Sequence, residues 1–279
     1  MIKIVTDSTC NLTEETLKQY DIRVAPIAIQ FGDNTYEEEI NINRDLFYQK
    51  IEEMGILPTT SQPTPAWFAR FYRELSEQGH SILVITITSK HSGTYDSAVL
   101  GKSMVPGADV EIFDSLSISL GTGWMVLEAA RMIEKGHNRE SVLRRLKEIR
   151  DRIYLYLTPA TLKYLQMSGR VGRLQFAIGS LVNLKPVIAV ENGVLEAIEN
   201  VRTRGKAVKR LVDLMEEKVG TTDAVNVGVI HARVPEEGQD LLEQVQSRLD
   251  CKETLVADLV SSLAVHGGPG VLGLVAYRA

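Results

Sequence analysis

The stretch ITITSKHSGTYDSA, from Ile85 to Ala98, restricts the fold of this chain more than any other. It begins in a short apolar, β-branched run, Ser81 to Ile87, which predicts a buried parallel strand. Thr94 to Met104 is predicted to be a helix, and the residues between the two include hydroxyl side chains and a glycine. Open α/β sheets bind ligands beyond the carboxyl ends of their strands, and the start of a helix favours an anionic group. The alternative is that Ser92 only caps the helix.

The composition is that of an ordinary globular protein with room for two domains. The chain has 279 residues, of which 44% are hydrophobic and 24% charged. Its formal net charge of −5 argues against nucleic acid as a partner, because phosphate binding needs a basic surface. The longest apolar runs are shorter than the roughly 20 residues of a membrane-spanning helix, so we expect no transmembrane segment. We also expect no signal peptide, because Lys3 is followed at once by Ile4 and Val5 and Asp7 interrupts the run before an apolar region forms. Cys10 and Cys251 fit no metal or redox spacing, which favours a reduced, cytoplasmic setting.

Two predicted strands end in an Asp-Ser pair. Ile2 to Thr6 is followed by Asp7-Ser8-Thr9, and Val110 to Phe113 is followed by Asp114-Ser115. In one α/β sheet both pairs would lie along the same edge. Alternatively, each aspartate caps the turn that follows it.

Three segments precede the strand at Ser81. Arg23 to Phe31 is predicted to be one continuous second strand. The acidic run Glu37 to Glu39 is interpreted as a solvated loop. Thr59 to Gln62 is predicted to be a polar loop leading into a helix, because Thr64 and Pro65 have the pattern of an N-cap and a first helical residue.

The second half of the chain changes character. Lys185 to Val190 and Val194 to Val201 flank Asn192-Gly193, which strongly indicates a β-hairpin with a tight I′ turn. An antiparallel hairpin does not belong in a purely parallel sheet. We therefore predict an α/β fold of two domains: residues 1–155 with a doubly wound, mainly parallel sheet, and residues 156–279 with a mixed sheet that contains the hairpin.

Four polar stretches are candidates for binding or chemistry. They are Thr60 to Gln62, His91 to Thr94, Ser168 to Arg173 and His266 to Gly270. Glycines let a backbone approach a ligand closely, and arginines supply permanent positive charge. Ordinary surface charge remains the alternative for Arg170 and Arg173. His266 is placed in a Gly/Pro loop, which favours an exposed or ligand-facing ring.

Known catalytic motifs are absent from the sequence. Gly101-Lys102-Ser103 lacks the glycine spacing of a Walker A motif, and no G-x-S-x-G elbow surrounds Ser92. No histidine or carboxylate cluster has the spacing of a metal site. A triad of Ser92, His266 and an aspartate is conceivable, but nothing local activates the serine. The pattern favours binding of a small anion over catalysis.

Together these stretches resemble the DegV family of bacterial fatty-acid-binding proteins. The shared motifs span almost the whole chain, and Gly267 and His91 depart from the family pattern. The matching segments are Thr6 to Thr9 (T-D-S-T), Thr60 to Pro63 (T-S-Q-P), Ser92 to Tyr95 (S-G-T-Y), Gly169 to Gly172 (G-R-[IV]-G), Asn183 to Pro186 (N-[IL]-K-P), Val201 to Arg204 (V-R-T-R) and His266 to Gly270 (H-x-G-P-G).

The resemblance implies a long-chain fatty acid bound in a tunnel between two domains. Its carboxylate would be held by Thr60, Ser92 and His266, with Ser61 and Gly93 in the same binding loops. The bound acid would be presented to a fatty acid kinase, which forms an acyl phosphate for phospholipid synthesis. Arg170 and Arg202 match positions expected to serve that transfer or the kinase interface.

The resemblance also implies that the chain is the lipid-binding, non-enzymatic subunit of the kinase system and has no cofactor of its own. The kinase would supply the nucleotide site. A transient membrane contact for lipid exchange is a further expectation. Two alternatives stay open: a hydrolase or acyltransferase that uses Ser92 and His266, and a regulatory protein that responds to its bound lipid.

Overall fold

The computed structural model describes residues 1–170 and 184–279. Helices and strands are numbered here in chain order over these residues. The strands are β1 (Ile2–Asp7), β2 (Arg23–Ala25), β3 (Ala28–Phe31), β4 (Asn34–Glu37), β5 (Thr59–Ser61), β6 (Ser81–Thr86), β7 (Val110–Asp114), β8 (Tyr154–Thr158), β9 (Lys185–Glu191), β10 (Val194–Val201), β11 (Val225–His231), β12 (Cys251–Asp258) and β13 (Leu272–Arg278). The helices are α1 (Glu14–Gln19), α2 (Arg44–Met54), α3 (Pro65–Glu77), α4 (Thr94–Ser103), α5 (Leu120–Glu134), α6 (Arg139–Arg152), α7 (Lys163–Met167), α8 (Arg204–Val219), α9 (Pro235–Gln246) and α10 (Ser261–Gly267).

The described residues form two compact units. The first unit contains residues 1–150 together with 260–262, and the second contains residues 151–259 and 263–279. The chain thus contributes a short segment, 260–262, to the first unit late in the sequence. The predicted boundary between the two domains, after residue 155, stays a prediction.

The first unit is built on a parallel sheet with the strand order β2-β1-β6-β7. On one face, Val5, Ile82 and Val84 pack with apolar residues of α3 such as Phe68 and Tyr72. Strand residues that alternate with these, among them Ile4, Leu83 and Ile85, are buried as well, and α5 contacts β1 and β6. Helices therefore cover both faces of the parallel sheet, as the sequence predicts.

The predicted second strand, Arg23 to Phe31, is wrong as one element. It divides into β2, which joins the parallel sheet, and β3, which lies in a separate antiparallel sheet of order β4-β3-β5. Pro26 lies at the division and has no backbone N–H to donate to a ladder. Thr59–Ser61 was predicted to be a loop, but it forms β5 by pairing with β3.

The second unit contains a mixed six-stranded sheet with the order β10-β9-β8-β13-β11-β12. Within this sheet the β11–β12 pair is parallel, and the other pairs among the described strands are antiparallel. The predicted hairpin is confirmed: β9 and β10 pair antiparallel, and Asn192 and Gly193 have φ values of 51° and 81°. Apolar residues of α8 and α9 pack together with one face of this sheet.

Within the described residues, no helix is both long and apolar enough to span a bilayer.

Candidate functional site

Asp7 and Asp114 lie at one edge of the parallel sheet. They end β1 and β7, which flank β6, and the registers pair Thr6 with Ile85 and Thr86 with Asp114. Both aspartates also cap the following turn: Asp7 accepts from the Thr9 backbone N–H at 3.0 Å, and Asp114 accepts from that of Leu116 at 3.0 Å. The two aspartates therefore both lie at the same edge of the sheet and cap the turns that follow them.

The same aspartates brace the start of the loop that carries Ser92. The backbone N–H of Ile87 donates to Asp7 Oδ2 at 2.9 Å, and that of Ser89 donates to Asp114 Oδ1 at 3.2 Å. Asp7 is fully buried, and burial raises the pKa of its carboxyl although three hydrogen bonds oppose the shift. These carboxyls thus fix the backbone of the loop by accepting hydrogen bonds.

Ser92 is half-buried just before α4. Its Oγ accepts a hydrogen bond from the Thr94 backbone N–H at 3.3 Å and lies 2.8 Å from the Thr94 hydroxyl. The N-cap residue of α4 is Gly93, which has no side chain to cap with. Ser92 therefore satisfies an N–H in the first turn, which is a capping role, while its assignment to a ligand stays a prediction.

The structure brings the Thr60 and Ser92 stretches together. Thr60 is half-buried and pairs with Ile29, whereas Ser61 is exposed. The Gln62 side chain packs against Gly93, where an added Cβ would lie 3.0 Å from Gln62 Cδ. The two polar stretches that sequence analysis identified in the first unit are therefore in direct contact.

His266 lies in the last turn of α10, so its predicted placement in a loop is wrong. The Gly/Pro loop begins only after it, at Gly268. Gly268 has φ +75° and packs against the Tyr164 ring so closely that a Cβ would overlap the ring. A Cβ on Gly270 would lie 2.8 Å from the Cβ of Ala160. These glycines let the His266 loop lie directly on the segment between β8 and α7.

The two predicted arginines have different surroundings in the second unit. Arg170 is half-buried and donates from Nη1 to the Ser168 carbonyl at 2.7 Å. Arg202 is exposed in the short link between β10 and α8. Val171, Gly172 and Arg173 of the glycine-arginine stretch, and Asn183 of the following motif, lie outside the described residues.

Arg204 joins separate segments of the second unit by hydrogen bonds, a role that was not predicted from the sequence. From the first residue of α8, its guanidinium donates to the Thr158 carbonyl at 3.1 Å and to the Gly270 carbonyl at 2.6 Å, and its Nε donates to Glu237 at 3.0 Å. Arg204 therefore joins the end of β8 to the loop after His266. The V-R-T-R motif contains Arg204, but the motif does not indicate which of its two arginines makes these contacts.

Glu38 is buried, so the interpretation of the acidic run Glu37 to Glu39 as a solvated loop is wrong for this residue. Its carboxyl accepts from the Ser8 hydroxyl at 2.6 Å and, at 2.6 and 2.7 Å, from the backbone N–H and hydroxyl of Ser262. Burial raises the pKa of this carboxyl in spite of those hydrogen bonds. Nothing local distinguishes Glu38 from Glu37 and Glu39, because its partners are distant in the sequence.

The predicted ligand residues all carry hydrogen-bond donors. Hydroxyls at Thr60 and Ser92 and the imidazole of His266 can each donate to an anion. No group of three or more histidine, cysteine, aspartate or glutamate residues in the described ranges, 1–170 and 184–279, is arranged to hold a metal ion.

The full length of the chain matches a known protein family. The family model described as "Uncharacterised protein, DegV family" matches residues 1–279. The chain belongs to the DegV family. The resemblance inferred from the motifs is therefore confirmed.

Solved DegV structures share the fold. A fatty-acid-binding DegV protein from Thermus thermophilus is 34% identical with a TM-score of 0.93, covering 100% of this chain and 99% of that one. A stearic-acid-binding protein from Eubacterium ventriosum is 29% identical with a TM-score of 0.93, and the coverages are 100% and 98%. DegV of Bacillus subtilis, a fatty acid binding protein, is 32% identical with a TM-score of 0.92 and coverages of 100% and 99%. The α/β fold predicted from the sequence is thus confirmed.

Proposed function

We propose that this DegV protein binds one long-chain fatty acid and is not itself an enzyme. The observation that carries the proposal is its full-length likeness, at 29 to 34% identity, to three proteins described as binding fatty acids, two of them as DegV proteins. The conserved fold alone would not be enough, because one fold hosts many functions. The matching polar loops supply the head-group chemistry.

The energetics favour a carrier in which the tail supplies most of the affinity. At about 0.8 kcal/mol per buried CH₂, a sixteen-carbon tail offers on the order of 10 kcal/mol of gross burial. The head-group residues then need only to fix the orientation. Hydroxyl and imidazole donors can fix the orientation of the head group without placing a permanent charge in the pocket. Such a charge would itself have to lose its water.

In the proposed site, Thr60, Ser92 and His266 hold the carboxylate, and Ser61 and Gly93 belong to the same binding loops. Two contacts support this arrangement in the first unit: Gln62 packs on Gly93, and Asp7 braces the backbone of the loop at Ile87. The tail lies in a tunnel between the two domains in this proposal. No cofactor takes part.

We further propose that the bound acid is presented to a kinase in the cytoplasm. The carboxylate oxygen would attack the terminal phosphoryl group of a nucleoside triphosphate held by the kinase. The bond from that phosphorus to the bridging oxygen would break and the nucleoside diphosphate would leave, which gives an acyl phosphate for phospholipid synthesis. An arginine would stabilise the charge during transfer. Arg170 and Arg202 are the proposed residues for this step or for kinase contact. The exposure of Arg202 suits contact with a partner. Transient membrane contact would allow lipid exchange.

Mass spectrometry of an organic extract from the purified protein, calibrated against protein amount, tests the binding proposal. We expect a long-chain fatty acid in nearly stoichiometric amount. An empty extract, combined with no uptake of added fatty acid, would overturn the proposal and return Ser92 and His266 to the list of candidate catalysts. Labelling of Ser92 by a serine-reactive probe would then distinguish the hydrolase alternative.

A kinase assay with loaded protein tests the presentation step separately. We expect Arg202→Ala to bind fatty acid normally but to be turned over more slowly than the wild type. Lys206→Ala is the matched control, since Lys206 is also exposed and lies four residues away. Unaltered turnover of Arg202→Ala would remove Arg202 from the mechanism.

A further inference from the structure

A buried glutamate holds the start of the helix that carries His266. Glu38 directly follows β4, and its backbone N–H donates to the Ile27 carbonyl at 2.9 Å. Its carboxyl accepts two hydrogen bonds from Ser262, one from the backbone N–H at 2.6 Å and one from the hydroxyl at 2.7 Å. The Ser8 hydroxyl donates a third at 2.6 Å. Both the backbone and the side chain of Glu38 are therefore fixed.

The segment that Glu38 holds is attached at a second point. The backbone N–H of Val260 donates to Asn11 Oδ1 at 3.1 Å, and the Ser119 hydroxyl donates to the same oxygen at 3.0 Å. Residues 260–262 thereby form part of the first compact unit, although Glu38 and Ser262 are 224 residues apart in the sequence. Breaking such hydrogen bonds costs folding free energy, because the buried carboxyl or its donor would be left without a hydrogen-bond partner.

The helix relates this attachment to His266. Ser262 and His266 are four residues apart in α10, so they lie one above the other on the same face of the helix. A change in the position of Ser262 is therefore carried along one helical turn to the imidazole.

We propose that Glu38 is a positioning residue for His266. It acts through Ser262 and α10, without touching the ligand itself. The inference rests on the proposed function, since it assigns Glu38 to the binding of the fatty acid carboxylate. It adds a residue that the head-group motifs do not contain.

A double-mutant cycle with a sixteen-carbon saturated fatty acid as the probe tests this role. Binding to delipidated protein is measured for the wild type, Glu38→Ala, His266→Ala and the double variant. We expect Glu38→Ala to weaken binding about tenfold when His266 is present, and less than about twofold when His266 is already alanine. Glu38→Gln should restore most of the affinity, because an amide can accept from the Ser262 N–H and donate to both serine hydroxyls.

Two further variants make the cycle decisive. Glu39→Ala removes the neighbouring exposed carboxylate and should bind like the wild type. If Glu38→Ala does not fold, as judged by circular dichroism, Ser262→Ala replaces it in the same cycle, because it removes only the hydroxyl hydrogen bond.

The outcomes separate the inference from the function on which it rests. If folded Glu38→Ala binds like the wild type, or loses equal affinity with and without His266, Glu38 does not act through His266 and the inference is overturned. Failure of the wild type itself to bind the probe would overturn the proposed function and the inference with it. Coupling between the two positions, with rescue by Glu38→Gln, supports the positioning role.

Discussion

At the scale of single residues, Ser92 has both a structural and a proposed functional role. Its Oγ lies 2.8 Å from the Thr94 hydroxyl and accepts from the Thr94 backbone N–H at 3.3 Å, so we expect Ser92→Ala to cost about 1 kcal/mol or less in stability. We expect fatty acid affinity to fall by about fivefold, because one donor to the carboxylate is lost. Urea unfolding and binding titrations measure the two effects. Ser103→Ala, at the last residue of α4, is the control, and a large loss of stability without loss of affinity would contradict the assignment.

Arg204 and Arg202 are expected to differ sharply although they are two residues apart. Arg204 donates to two backbone carbonyls and to Glu237, whereas Arg202 is exposed. We therefore expect Arg204→Ala to lower the free energy of unfolding by about 2 kcal/mol, and Arg202→Ala to change it by no more than about 0.5 kcal/mol. Urea denaturation of the two variants measures the difference. Equal effects would show that the carbonyl contacts of Arg204 contribute no net stability.

At the scale of secondary-structure elements, α3 and α4 meet at a glycine. A Cβ on Gly101 would lie 2.7 Å from the Cβ of Phe68 and 2.9 Å from the Pro65 carbonyl oxygen, closer than van der Waals contact allows. These helices follow the Thr60 and Ser92 stretches, so their close packing also places the two loops.

We expect Gly101→Ala to destabilise the protein by about 1–3 kcal/mol, because the two helices must move apart. Gly205→Ala is the matched control in α8, where an added Cβ meets nothing within 4 Å. The control should be neutral or stabilising by up to about 1 kcal/mol, since alanine favours the helix. Thermal or urea unfolding distinguishes them, and equal stability of the two variants would mean that the helix contact adapts without cost.

At the scale of the whole molecule, buried carboxyls make stability depend on pH. Desolvation raises the pKa of Glu38 in the folded protein, whereas a glutamate in the unfolded chain has a pKa of about 4.3. As the pH rises through that value, the unfolded chain releases this proton while the folded protein keeps it. The contribution of Glu38 to stability is therefore largest below the unfolded pKa and decreases until the folded-state pKa is passed.

Glu38→Gln removes this titration while keeping the shape of the side chain. We expect the stability of the wild type relative to Glu38→Gln to be highest near pH 4 and to decrease toward neutral pH. Urea unfolding of both proteins across that range measures the difference, with Glu39→Gln as the control for an exposed carboxylate. A wild-type advantage that grows with rising pH would mean that the ionised form of Glu38 is the more stable one in the folded protein.

Elements with local signals can be predicted from the amino-acid sequence alone. The β-branched run at Ser81 to Thr86, the Thr64-Pro65 start of α3 and the Asn192-Gly193 turn each follow from the preferences of adjacent residues. The seven motif segments taken together also indicated the family, which the full-length match to the family model confirms. Residue roles within those motifs stay predictions.

Contacts between residues far apart in the sequence are known only from the folded structure. The pairing of Thr59–Ser61 with β3, the hydrogen bonds between Glu38 and Ser262 and the carbonyl contacts of Arg204 have no local pattern. Glu38 has the same side chain as Glu37 and Glu39, and only burial against distant serines makes it different. The physical reason is that local conformational preference acts between near neighbours, whereas burial and hydrogen-bond satisfaction depend on where the folded chain brings its partners.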